Sequence, residues 1–370
     1  MRETRHEVRL AAAERIADLE DGSIALVVTS PPYPMIEMWD GVFSAQDGAC
    51  ARALEAGEGW NAFEAMHRIL DPVWREVHRV LVPGGIACID IGDAVRTLGD
   101  GFALYPNHAR ILSKLVETGL QPLPGIIWRK PTNAPNKFMG SGMLPPGAYV
   151  TLEHEHVLVV RKGGKRKLSS AAEKETRRES AFFWEERNQW FSDVWLDLVG
   201  ASQGLAGGNA RARSGAYPFE LPYRLIHMFS MRGDTVLDPF LGTGTTIAAA
   251  MAAGRSSIGF EIDPALGPDI ETQIRLAPRL ARDRLEERLR AHGAFVRERF
   301  ERVGRFGYTN APHGFPVMTR QETGMVLEDL VEVRRAGPGA YEALYEKATL
   351  GRAEPGQDVW AVTVEEEPIP

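Results

Sequence analysis

An α/β fold built on a parallel sheet is predicted by three features of the chain. Short unbroken apolar runs rich in β-branched residues alternate with segments of helical period, and residues 234–261 hold one complete strand, glycine-rich loop, helix, strand unit. The first run, Ser23-Ile-Ala-Leu-Val-Val-Thr29, reads as a buried strand, stopped abruptly by Ser30-Pro31-Pro32-Tyr33. Over 61–80, Phe63, Met66, Ile69, Leu70, Val73, Trp74, Val77 and Val80 recur at helical spacing. Pro83-Gly84-Gly85 then reads as a turn before the strand Ile86-Ala-Cys-Ile-Asp-Ile91. A helix at about 106–118 leads to the strand Gly125-Ile-Ile-Trp128, and Val157-Leu-Val-Val160 is a further strand.

From 161 to about 213 the alternation lapses into polar, basic and aromatic sequence. It resumes with a helix at 219–230, the strand Asp234-Thr-Val-Leu-Asp238, a loop to Gly244, a helix at 245–253 and the strand Ser257-Ile-Gly-Phe-Glu261. Beyond Pro264 the character changes to a long Arg/Glu-rich amphipathic helix at about 277–303, strand-like or loop pieces to 335 and an acidic tail at 365–370. No internal repeat is visible.

Composition narrows the function classes. With 370 residues and 44% apolar content the chain can bury a large core, which excludes disorder as its main theme. No apolar run is long enough to span a bilayer, and the charged start Met1-Arg-Glu-Thr-Arg-His-Glu7 is no secretory signal, so a soluble, cytoplasmic protein without a membrane partner is expected. Two cysteines, Cys50 and Cys88, are too few for a disulfide framework or a cysteine-rich zinc site. The net charge of −7 argues against a non-specific nucleic-acid coat. Residues 161–178 nevertheless carry a local +6, leaving −13 for the rest, as a phosphate-contacting patch on an acidic enzyme would.

Two constellations carry chemistry. In Asp238-Pro-Phe-Leu-Gly242-Thr-Gly244-Thr-Thr246 small residues between a strand and a helix let a ligand approach the backbone. Glu261, 23 residues after Asp238, ends the next strand where an acid can accept ribose hydroxyls. A nucleoside-type cofactor is expected, and a P-loop is excluded because no Gly-Lys-Ser/Thr occurs. In Thr29-Ser30-Pro31-Pro32-Tyr33 the prolines fix φ and remove two N–H donors, so the loop presents rigid carbonyl and hydroxyl acceptors. An exocyclic amino group conjugated to a nucleobase is a poor nucleophile. Acceptors that bind its N–H groups favour a pyramidal nitrogen and free the lone pair for attack on an electrophilic methyl group. Tyr33 supplies a ring on which an extruded base can stack. Taken singly, each motif also fits tight βα packing or a proline-rich strand end.

Together the motifs resemble the amino-methylating DNA methyltransferases that use S-adenosylmethionine, in the β-class order with the catalytic loop first and the cofactor loop last. The resemblance covers roughly residues 1–264 and implies a Rossmann-like methyltransferase core. It assigns Ser30, Pro31, Pro32 and Tyr33 to catalysis, and Asp238, Pro239, Phe240, Gly242, Gly244, Thr245 and Glu261 to the cofactor. Tyr217 and Phe219 join the cofactor set because Ala216-Tyr-Pro-Phe-Glu-Leu-Pro-Tyr-Arg-Leu-Ile226 is similar to the family's helix before that loop. It divides residues 1–265 into a catalytic half (1–160), an inserted target-recognition region (161–213) and a cofactor half (214–265); the change of character near 266 sets off a C-terminal accessory module (266–370) of unknown role, which the resemblance does not explain. Lys165, Arg166, Lys167, Arg177, Arg178, Arg211 and Arg213 are the expected contacts to double-stranded DNA.

Within the family a Ser at the first catalytic position resembles the cytosine-N4 enzymes, whereas Asp is usual for adenine-N6. Carbon-5 methylation is disfavoured because neither cysteine follows a proline. Adenine-N6 transfer is the nearest rival; RNA or protein methylation and a non-catalytic DNA-binding role are further alternatives. No metal is called for, since the sulfonium is already an activated donor. Glu153-His154-Glu155-His156 lacks the helical HExxH spacing and reads as structural rather than ligating. Trp128-Arg-Lys130 and Asn133-Ala-Pro-Asn-Lys-Phe138 are placed in a loop region near the cleft. A restriction-modification or orphan modification role is expected; a cognate endonuclease and a second copy of the chain remain open as partners. The recognition site is expected to be a short palindrome, with CTAG as the guess.

Overall fold

The computed structural model describes residues 1–99, 101–130, 139–198, 217–351 and 361–362. Its strands are β1 Arg2–Leu10, β2 Ile24–Thr29, β3 Leu81–Ile91, β4 Ala94–Leu98, β5 Gly101–Tyr105, β6 Leu120–Pro122, β7 Ile126–Arg129, β8 Met139–Gly140, β9 Ala148–Tyr149, β10 His154–Lys162, β11 Val194–Trp195, β12 Thr235–Asp238, β13 Ser256–Glu261, β14 Tyr308–Thr309, β15 Pro316–Val317, β16 Glu328–Gly337, β17 Ala340–Lys347, β18 Leu350–Gly351 and β19 Ala361–Val362. The helices that matter here are α1 Asp40–Gln46, α2 Gly48–Glu55, α3 Gly59–Val80, α4 Asn107–Glu117, α5 Ala171–Glu179, α6 Trp184–Trp190, α7 Glu220–Phe229, α8 Thr245–Ala252 and α9 Gly267–Val303.

The central sheet runs β11-β7-β10-β3-β2-β12-β13-β1-β17-β16, with β6 also pairing β10. Strands β3, β2, β12, β13 and β1 are mutually parallel, and antiparallel strands extend the sheet on both sides through β10 and β17. Every residue of β2 is buried, as an unbroken apolar run between two covered faces requires. One covering layer is α3, whose Phe63, Met66, Leu70, Val73, Trp74, Val77 and Val80 form the buried face. On the other face α7 and α8 pack Leu221, Leu225, Ile226, Ala249 and Ala250 against Leu26, Val28 and Val236.

Two expectations change. The turn at Pro83-Gly84-Gly85 is instead an irregularity within β3, where the register against β2 jumps from Ile24↔Leu81 to Leu26↔Ile86. Gly84 adopts φ +84°, and a Cβ there would lie 2.3 Å from the Arg166 backbone nitrogen. The segment beyond 266, expected as an accessory module, continues the central sheet. Its β17 pairs with β1, and Leu330, Tyr341, Ala343 and Tyr345 share a cluster with Ile247, Met251, Ile270 and Ile274. The charged alternation of β1 hid this strand from a reading that looked for apolar runs. The 171–190 segment packs on the same region, with Arg288 of α9 in a double hydrogen bond to Glu186 at 2.5 and 2.8 Å.

Candidate active site

Because β2, β3, β12 and β13 are parallel, Thr29, Ile91, Asp238 and Glu261 all end at one edge of the sheet. Ligands of open α/β sheets bind outside such carboxyl ends. Both motifs of the sequence meet there.

The loop leaving β2 forms a hydrogen-bonded chain. Ser30 Oγ donates to the Tyr33 hydroxyl at 3.1 Å, which faces Glu155 Oε2 at 3.2 Å and Asp90 Oδ2 at 3.5 Å; Lys130 Nζ holds Glu155 Oε1 at 2.8 Å. Since the Ser30 proton is directed at Tyr33, the lone pairs of Ser30 Oγ remain for an incoming N–H donor. Burial, then the charges of Asp90 and Glu155, raise the Tyr33 phenol well above its ordinary 10, so it stays protonated.

Burial and then Glu155 likewise push the Asp90 carboxyl well above the usual carboxylate range, and its Oδ1 has no partner among the described residues. A carboxyl raised in the folded state weakens folding once pH rises through the unfolded value, where the unfolded chain ionises more readily. Asp90→Asn is therefore expected to raise the melting temperature of the ligand-free protein near pH 8, with the gain vanishing near pH 3. Thermal melts across that range check this.

The loop is clamped from behind. Asn107, fully buried at the start of α4, donates through Nδ2 to Pro34 O and Gly92 O, both at 3.0 Å, and its Oδ1 lies 3.0 Å from His67 Nε2. Met35 adopts φ +67°, a left-handed conformation costly for a side-chain-bearing residue and held here by its surroundings. Asn107→Ala leaves two buried carbonyls and an imidazole unpaired. About 3 kcal/mol of destabilisation is expected, together with a fall in kcat, read by urea unfolding and initial rates.

The cofactor motif is organised by Asp238. Its carboxylate, 2% exposed, accepts from Thr29 Oγ1 at 2.6 Å, Phe240 N at 3.0 Å, Thr246 Oγ1 at 2.5 Å and the Tyr217 hydroxyl at 3.4 Å, while Tyr217 and Thr246 also bond each other. Burial raises its pKa, which these donors oppose. Asp238 thus ties the catalytic strand to the cofactor loop rather than reaching out to a ligand. Gly242 (φ +57°) has open space where a side chain would project, and Gly244 (φ +93°) caps α8, whose first residue is Thr245. Glu261 accepts from Gly242 N and Asp263 N at 2.8 Å each; burial raises its pKa and these backbone donors hold it down. Pro239 is buried, Phe240 lies 6.0 Å from Trp74 between ring centres, and Phe219 stacks on Tyr223 at 5.5 Å.

The basic segment lies away from the edge where the two motifs meet. Strand β10 is antiparallel to β3, so the chain after Val160 emerges at the opposite edge, about 16 Å from Ile91 along the strands. Lys162 Nζ bonds the carbonyls of Arg79 and Leu81, and Arg166 pairs with Asp234 at 2.7 Å, ahead of β3 and β12 respectively. Lys165 and Lys167 flank Arg166. Arg177 and Arg178 lie on α5, whose end is bound to Arg232, again before β12. Arg211 and Arg213 fall outside the described residues, as do 133–138. Lys165→Ala combined with Lys167→Ala is expected to change KM for duplex DNA less than twofold, measured by initial rates at several salt concentrations.

Sequence reasoning passed over Asp90 and Asn107, and brought Lys130 and Glu155 into view without pairing them. Asp90 could have been found as the acid near the end of the strand that pairs with β2. Glu155 was in view, but its alternation on β10 away from His154 and His156 decides its role.

Residues 24–270 match the model of the N6/N4 DNA methylase family. The chain belongs to this family. Among related DNA methylases, it is 50% identical over 320 residues to the type II methyltransferase M.MthZI of Methanothermobacter thermautotrophicus, covering 86% of this chain and 89% of that protein. Over 288 residues it is 47% identical to M.MjaI of Methanocaldococcus jannaschii, covering 73% and 91%. The solved structure of the putative DNA modification methylase TTHA0409 from Thermus thermophilus, complexed with S-adenosyl-L-methionine, is 32% identical with a TM-score of 0.57, covering 74% of this methylase and 95% of that chain. No helix among the described residues is long and apolar enough to cross a membrane.

Proposed function

We propose that this DNA methylase, which uses S-adenosylmethionine, transfers the methyl group to the N4 amino group of a cytosine turned out of duplex DNA. The observation that carries the reading is the Ser30 hydroxyl, held by Tyr33 with its lone pairs outward and coupled through Thr29 and Asp238 to the glycine loop one strand away. Ser30 Oγ and the Pro31 carbonyl accept the two amino hydrogens and turn the nitrogen lone pair towards the methyl carbon. As the N–C bond forms the S–C bond breaks, and the sulfonium leaves as a neutral thioether. The cationic amino group then gives up its proton to solvent water, while Ser30 Oγ and the Pro31 carbonyl, as acceptors, lower the energy of that charge.

The reading gives Tyr33 the further task of stacking on the base, and Gly242, Gly244, Thr245, Phe240 and Glu261 that of cradling the nucleoside of the cofactor. Tyr217, Phe219 and Pro239 support that cradle. DNA approaches the edge bearing the hairpins β4–β5 and β8–β9, joined by the Phe102–Tyr149 stack at 4.7 Å. Phe102, Leu104, Met143, Leu144 and Tyr149 are exposed there, suited to contacting unstacked bases.

Duplexes carrying CTAG provide the test. A duplex whose cytosine already bears N4-methyl groups on both strands should accept no label from the cofactor, whereas one carrying N6-methyladenine should remain a full substrate. The reverse pattern would assign the enzyme to adenine.

A further inference from the structure

The hairpin β4–β5 leaves the sheet at Asp93 and returns at Asn107, so its base brings Asp93 and His108 together. The third residue of β10 adds His156, which pairs with Ile91 of β3. His108 Nδ1 lies 2.8 Å from both oxygens of Asp93, and the rings of His108 and His156 are stacked at 3.9 Å and 18°. One donor atom from each of the three residues lies within 4.8 Å of the others, and all three side chains are partly open to solvent. Among the described residues neither ring nitrogen of His156 has a hydrogen-bond partner.

From this geometry we infer that Asp93, His108 and His156 form a binding site for a divalent transition-metal ion of the zinc class. Two imidazoles and one carboxylate suit such borderline ions, whereas calcium and magnesium prefer oxygen ligands throughout. A tetrahedral ion with bonds of about 2.0 Å asks for donors about 3.3 Å apart. Small rotations of the part-exposed side chains close the remaining gap. The ion takes the place of the hydrogen between His108 Nδ1 and Asp93, and the ring carries its proton on Nε2 instead. Because Gly92, next to Asp93, lies against the Tyr33 ring, the ion fastens the hairpin base to β10 beside the catalytic loop. The pattern was not legible in Glu153-His154-Glu155-His156, because two of the three ligands come from residues 93 and 108.

The full-length protein, stripped with chelator and titrated with cobalt(II) and then with zinc against a chromophoric chelator, tests this. One ion per chain is expected, with a visible d–d band for cobalt that zinc abolishes. His108→Ala and His156→Ala should each weaken binding at least 100-fold, while His154→Ala leaves it unchanged. Melting curves in chelator establish that the variants fold, and zinc should raise the melting temperature of the unaltered protein. Absence of stoichiometric binding to the unaltered protein, or equal binding by the His108→Ala and His156→Ala variants, would overturn the assignment.

Discussion

Ser30→Ala is expected to lower the rate of methyl transfer by about 10²–10³-fold while leaving S-adenosylmethionine binding within about twofold. The substitution removes the acceptor aimed at the amino group and also the donor that orients the Tyr33 hydroxyl. The cofactor loop is untouched, since it is anchored one residue earlier through Thr29. Single-turnover rates with saturating DNA and cofactor, together with equilibrium cofactor binding, separate the two effects. Tyr33→Phe keeps the ring and deletes the hydroxyl, so it should produce a smaller loss in rate than Ser30→Ala. Equal loss of rate and cofactor affinity in Ser30→Ala would mean that the loop is structural rather than catalytic.

Asp238→Ala has the opposite signature. Four donors converge on this buried carboxylate, from the catalytic strand, the glycine loop, α8 and Tyr217. Deleting it leaves those donors unpaired in the interior, and a destabilisation of about 3 kcal/mol or more is expected. Cofactor affinity should fall by roughly 100-fold, because about 2.7 kcal/mol of loop ordering must then be supplied by binding itself. Asp238→Asn retains one acceptor oxygen and should lie between the two in both measurements. Urea unfolding midpoints and cofactor titrations on the same samples check the coupling. A variant with unchanged stability and lost affinity would show instead that the carboxylate acts on the cofactor directly.

The sequence revealed those parts of the fold whose local pattern and tertiary role agree. Strand β2 and the β12–α8–β13 unit are continuous apolar or glycine-punctuated segments buried on both sides, so their periodicity reports their environment. Strand β1 is different. Its alternating Arg, Glu, Thr and His residues look like a surface tail, yet Thr4 and His6 are buried between β13 and β17 through hydrogen bonds to Tyr345 and Ser257. Polar burial of this kind depends on partners more than 250 residues away and leaves no periodic trace. The same holds for the site. Ser30, Gly242 and Glu261 announce themselves through local motifs, whereas Asp90, Glu155 and Asn107 act only because sheet order places them beside Tyr33 and Pro34. The basic run at 161–178 shows the converse: charge density is visible in sequence, but the antiparallel direction of β10 decides which edge receives it.

The central claim is the identity of the modified base. The decisive measurement is mass spectrometry of the nucleosides released from unmethylated duplex DNA after incubation with the protein and S-adenosylmethionine, with Ser30→Ala in parallel. N4-methylcytosine that is absent from the Ser30→Ala sample is the predicted result, and N6-methyladenine, or no modified nucleoside, would contradict it.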